Sequence, residues 1–196
     1  MTHFKTASVV VDNEHDPEIS VKQILAFIGD NPNREGLKET PKRVVKSWEK
    51  LFGGYGQNVR DTLKVFEDDT SDEMVILKDI EFYSTCEHHL LPFFGRAHIA
   101  YIPNESVVGI SKLARILEIF SRRLQIQERI CRQVTSALME YLQPQGAACM
   151  LEAQHFCMTS RGVEKQNSIM ITSSLEGVFK EDSATRQEFL SLVKGV

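Results

Sequence analysis

The chain has 196 residues, enough for one sizeable core with a small attachment, and its 42% apolar and 26% charged residues are the balance of an ordinary soluble globular protein. A formal net charge of −4 at pH 7 gives no basic field for nucleic acid or an anionic membrane surface, and no apolar run approaches the roughly 20 residues of a membrane-spanning helix. The opening MTHFKTASVVVDNEHD lacks the charged-then-apolar layout of a signal peptide, so a reducing cytoplasm is expected, where cysteines serve as metal ligands, catalytic groups or core residues more often than as disulfides.

Residues 1–16 are polar with one short apolar run and read as a loose N-terminal segment. From Pro17 to about Ile28 the apolar residues Ile19, Ile24, Leu25, Phe27 and Ile28 predict a helix, capped by Asp16 with Pro17 at its first position. Asn31-Pro32-Asn33 and Gly36 make a turn. Thr40-Pro41 then opens a second helix with Val44, Val45, Trp48, Leu51 and Phe52 at helical spacing, ended by Gly53-Gly54. Each helix has a single apolar stripe, so residues 17–74 form a helical region expected to pack on something else.

Residues 75–196 read as a second unit. Strands are predicted at 75–83 and 93–102, a helix at 112–123, a second helix from Gln127 to Leu142, strands at 147–159 and 168–175, and a last helix from Ser183 to about Val193. This ββ-αα-ββ order predicts an α+β domain: an antiparallel sheet with two helices on one face.

Cys86-Glu87-His88-His89 and His155-Phe156-Cys157 hold the metal-ligating chemistry. Cys86 and His89 are three apart and meet on one side of a turn; His155 and Cys157 are two apart and share a face if the strand continues, as would Arg161. Two thiolates and an imidazole make a three-ligand set of the catalytic zinc type, with a fourth position open. Two histidines would then remain for acid–base work. Spacing alone leaves open a closed structural site, a Cys86–Cys157 disulfide, and unrelated core cysteines. Cys131 and Cys149 read as small buried residues; His3, His15 and His98 have no ligand-like neighbours.

Ser111 is a candidate helix cap, and Lys112 and Arg115 lie one turn apart behind it, which suits an anion at the helix N-terminus or else a solvated basic face. Glu128, beside Gln127, could accept two hydrogen bonds from a guanine edge or pair with Arg132. Arg161, beside Gly162, suits a phosphate or a surface turn.

Taken together, several stretches resemble GTP cyclohydrolase I. They are Asn33-Arg34-Glu35-Gly36-Leu37 with Thr40-Pro41-Lys42-Arg43-Val44, then FYSTCEHHLLPFFGRAHIAYIP, GISKLARILEIFSRRLQIQERI, HFCMTSRGV and NSIMITSSLEGVF, covering residues 17–196. The resemblance implies a zinc enzyme converting GTP and water into 7,8-dihydroneopterin triphosphate and formate, the first step of tetrahydrofolate and pterin synthesis. It implies one Zn2+ per subunit on Cys86, His89 and Cys157, with His88 and His155 as the acid–base pair. It assigns Glu128 to the guanine, supported by Gln127 and Ser111, and Lys112, Arg115 and Arg161 to the triphosphate. It further implies the tunnelling fold, in which such sheets close into a multi-subunit β-barrel, and a homodecamer of two stacked pentamers with sites at subunit interfaces. The alternatives are a tunnelling-fold relative acting on another purine or pterin, and a non-catalytic zinc- or GTP-binding member.

Overall fold

The computed structural model describes residues 16–62, 65–66, 72–104 and 107–195. All of the expected loose segment except Asp16 lies outside the described residues, as do His3 and His15. Helix α1 (Pro17–Phe27) starts as its sequence predicts: the Asp16 carboxylate accepts from the Glu18 N–H at 2.9 Å, and Pro17 sits where no N–H is needed. Helix α2 (Thr40–Leu51) packs against α1, and a short 3-10 turn (Gly53–Gly56) follows it. Val21 of α1 and Pro41 of α2 are buried, but Ile19, Ile24 and Ile28 are more than half exposed and Phe27 is 90% exposed. The apolar stripe of α1 therefore has little cover among the described residues.

The sheet follows. Strand β1 (Val65–Phe66) precedes β2 (Val75–Cys86) and β3 (Pro92–Ile102), and β4 (Val107–Val108) returns to pair with β1. Helix α3 (Ile110–Ser121), β5 (Leu124–Gln125) and helix α4 (Gln127–Leu142) come next, then β6 (Gly146–His155), a single helical turn α5 (Phe156–Thr159) and β7 (Met170–Gly177). Helices α6 (Val178–Glu181) and α7 (Ser183–Lys194) close the described chain. The main sheet runs in the order β5-β2-β3-β6-β7, antiparallel except for the short β5, which lies parallel to the end of β2. The predicted α+β class with an antiparallel sheet is what the structure has. Among the described residues no helix is long and apolar enough to cross a membrane.

Side-chain alternation decides how each face is covered. Ala97, Ile99 and Tyr101 of β3, with Ala147, Cys149 and Leu151 of β6, point to one face and meet Leu113, Ile116 and Leu117 of α3 and Ile130, Val134 and Leu138 of α4. Each fully buried aliphatic side chain of this set contributes about 1.5–3 kcal/mol of burial free energy. Ala100, Ala148 and Met150 point the other way, under Phe179, Phe189 and Val193 of α6 and α7. The expectation of helices on one face is thus corrected at one end of the sheet, where the C-terminal helices cover the second face. Cys131 and Cys149 are fully buried, as expected of core residues. Gly54 is required by close packing, since a Cβ there would lie 2.1 Å from the Ile119 carbonyl oxygen at the end of α3.

Candidate metal centre and adjoining cleft

Two chain turns build the candidate metal centre. At the end of β2 the Cys86 N–H donates to the Leu91 carbonyl (2.8 Å), and the N–H groups of His89 and Leu90 both reach back to the Cys86 carbonyl. The chain closes with Leu90 in the left-handed region at φ 55°, a conformation that costs a branched side chain about 1 kcal/mol or more. That tight loop brings residues 86 and 89 together: the Cys86 Sγ lies 3.8 Å from the His89 Nδ1.

The second turn differs from the sequence expectation. Strand β6 ends at His155, and Phe156–Thr159 form a helical turn, so His155 and Cys157 do not share a strand face. The helical turn nonetheless carries the Cys157 Sγ to 4.0 Å from the His155 Nδ1. The donor atoms of Cys86, His89 and Cys157 all lie within 4.8 Å of one another, and this group includes neither His88 nor His155. Both cysteines are free thiols, so the disulfide alternative is not realised. A tetrahedral zinc sets its sulfur and nitrogen donors roughly 3.5–3.8 Å apart, so no pair of the trio has to close by more than roughly 1 Å to reach that geometry. Without an ion, burial pushes the Cys157 thiol up, and the neighbouring Cys86 adds to it. A divalent cation would reverse that, since thiols bind metal as thiolates.

The trio opens onto a cleft of about 430 Å³ lined also by His88, Gln127, Glu128 and His155 and, across from them, by Ser168, Ile169 and Met170. Gln127 and Glu128 are the first two residues of α4, placed there because Leu124-Gln125 pairs with Thr85-Cys86 and delivers the helix N-terminus beside the metal turn. Glu128 is exposed and makes no ion pair with Arg132 among the described residues. His155 stacks flat on Phe93, with ring centroids 4.5 Å apart and planes 3° apart. Burial holds the His155 imidazole below its ordinary range, while the Glu128 charge opposes that shift. His88 is exposed, with its Nε2 3.8 Å from the Glu87 carboxylate.

Ser111, Lys112, Arg115 and Arg161 do not line this cleft. Ser111 is not the cap, because the helix begins at Ile110 and Gly109 holds the cap position, leaving Ser111 inside the first turn. Lys112 lies in the first turn of α3, nine residues or about 14 Å of helix from Ser121 at its other end. Arg161 is exposed in the loop after α5, which takes it off the strand face that carries His155.

Two residues carry parts of the site that the sequence reading passed over. Glu87, between the two ligands of the first turn, takes both guanidinium nitrogens of Arg129, one of them at 3.0 Å, and its own N–H donates to the Gln125 carbonyl at 3.0 Å. The Arg129 hydrogen bonds hold its carboxyl below the usual range. A carboxylate between two candidate metal ligands, with an arginine in the first turn of the neighbouring helix, was the available signal. Phe93 was the other, and nothing local marked it as the platform for His155.

Fold and site together define a mixed α+β protein with two cysteines and a histidine, placed so that they could hold a metal ion, at the mouth of a cleft. The comparisons with known proteins then fix the family. The family model for GTP cyclohydrolase I matches residues 18–194. Proteins named GTP cyclohydrolase 1 from Wolinella succinogenes and Campylobacter jejuni are 58% and 55% identical over 178 residues, spanning 90% of this chain and 95% and 93% of theirs. One from Deinococcus radiodurans is 52% identical over 186 residues, spanning 94% of this chain and 86% of its own. The chain belongs to the GTP cyclohydrolase I family.

Proposed function

We propose that the chain acts as a zinc-dependent GTP cyclohydrolase I, converting GTP and water into 7,8-dihydroneopterin triphosphate and formate at the head of tetrahydrofolate and pterin synthesis. The observation that carries this reading is the convergence of Cys86, His89 and Cys157 at the cleft that the first turn of α4 also lines, in a chain of this family. Those three residues would hold zinc, one ion per subunit. Bound there, the ion supplies Lewis-acid activation of water at neutral pH.

The remaining groups divide the other tasks. The purine carbon to be removed, C8, lies between two nitrogens, and protonation of N7 by an imidazole makes it more electrophilic. One hydrolysis opens the five-membered ring and a second releases C8 as formate. The ribose then opens, rearranges to a ketone and closes onto the freed amine with loss of water, a series of proton transfers that His88 and His155 serve. The exposed Glu128 carboxylate, at the wall of the cleft, accepts from the N1–H and exocyclic amine of guanine, and the acid in the first helical turn is itself favoured by the helix dipole. Ser111 supports the binding of the guanine, and Lys112, Arg115 and Arg161 neutralise the triphosphate.

Lys112 and Arg115 do not line the cleft of their own chain. We infer that they serve a neighbour's, in a homodecamer of stacked pentamers whose sheets close into a β-barrel. The exposed apolar side of α1 and the outer edge of β7, which pairs only with β6 among the described residues and exposes Ile171, support assembly, since ring closure removes sheet edges. A cytoplasmic location suits a metal centre built on free thiols. Incubation with GTP, followed for formate and for a fluorescent oxidised neopterin, tests the reading: both products are expected, and their absence from metal-loaded protein that still binds GTP would overturn it.

A further inference from the structure

The resemblance gives Gln127 to the substrate, but its surroundings give it another task. Its side chain is 1% exposed. The amide nitrogen lies 3.0 Å from the Leu151 carbonyl oxygen in β6 and 3.0 Å from the Met170 carbonyl oxygen in β7. Carbonyl oxygens only accept, so both amide hydrogens are committed and the amide cannot turn over. The amide oxygen is thereby fixed toward the His155 Nε2 at 2.8 Å. An amide oxygen also only accepts, so the Nε2 must carry the hydrogen. In a neutral imidazole that leaves the Nδ1 as the lone-pair nitrogen, and this is the atom 4.0 Å from the Cys157 Sγ. The Phe93 ring, parallel at 4.5 Å, fixes the remaining freedom of the imidazole plane.

We propose that Gln127 is a positioning residue that sets the tautomer and ring orientation of His155, and that it donates no hydrogen bond to the purine. The inference deepens the reading of His155 as an acid–base group and depends on it only for its kinetic arm. The logic is that of a fixed partner on one imidazole nitrogen deciding which form the other presents to the reaction.

The first arm of the test uses metal-loaded wild-type protein labelled with 15N in its histidines. His155 is assigned by the signals lost in a His155→Asn variant. The expected result is a protonated Nε2 and an unprotonated Nδ1; a protonated Nδ1 overturns the proposal, whatever the protein's activity. The second arm is Gln127→Met, which keeps volume and loses all three hydrogen bonds. Its kcat for GTP is expected to fall about 10–100-fold with KM and bound zinc little changed. A raised KM at unchanged kcat would make Gln127 a contact to the base and overturn the proposal. Should Gln127→Met fail to fold, the wild-type spectrum still decides. Absence of GTP turnover by the wild type would refute the proposed function without touching the tautomer result.

Discussion

Replacing Phe93 by leucine separates stability from site geometry. The ring is fully buried, lies flat on His155 at 4.5 Å, and meets Phe82 edge-on with centroids 6.1 Å apart. Each such ring contact is worth about 0.5–1.5 kcal/mol beyond the area it buries. Leucine refills most of the volume and leaves a residual cavity costing about 0.5 kcal/mol. The sum is about 1.5–3.5 kcal/mol, which for a chain of this length lowers Tm by roughly 3–14 °C. Thermal unfolding at equal chain concentration measures it, since assembly makes Tm concentration-dependent. His155 would keep its hydrogen bond to Gln127 but lose its platform, so kcat should fall while zinc content stays at the wild-type level. A Tm within about 2 °C of wild type, with unaltered kcat, would refute the account of how the imidazole is held.

Two other predictions follow from the same geometry. His98 is buried, its Nδ1 accepts the Asp79 N–H at 3.3 Å, and burial holds its pKa below 6.5, against the opposing pull of Asp79 and Glu152. Unfolded His98 therefore binds a proton at pH values where the folded one does not, so its contribution to stability is present above about pH 6.5 and is lost as pH falls below that. Wild-type Tm should drop more between pH 7 and pH 5 than that of His98→Asn, and parallel curves would contradict this. Chains carrying Lys112→Ala and chains carrying His155→Ala, each weak alone, should regain activity when co-assembled, because in a heterologous ring about one quarter of the sites draw both intact residues from two chains. No recovery in confirmed mixed oligomers would place Lys112 and His155 in a single chain's site.

Much of this was legible because it is local. The limits of α4 could be read from its apolar period and its Pro144 stop, and the meeting of Cys86 with His89 from their three-residue spacing. Errors arose where backbone geometry overrode pattern. Gly109 took the cap expected of Ser111, and the helical turn at Phe156–Thr159 ended a strand predicted to run to Thr159. Strand β5, only Leu124–Gln125, is too short to show any alternation, yet it docks the start of α4 beside the metal turn. The role of Gln127 could not be read at all, since it depends on the Met170 carbonyl, 43 residues away, and Leu151, 24 away. The stack of Phe93 on His155 likewise exists only through the register of β3 with β6.

GTP hydrolysis, as proposed above, depends on zinc held by Cys86, His89 and Cys157. The most direct measurement is formate released from GTP as a function of zinc bound per chain, with metal stripped by a chelator and added back in steps. Formate release should vanish in the stripped protein, rise in proportion to bound zinc and saturate at about one ion per chain, with Cys157→Ser neither retaining the ion nor releasing formate. Undiminished formate release from fully stripped protein would contradict it.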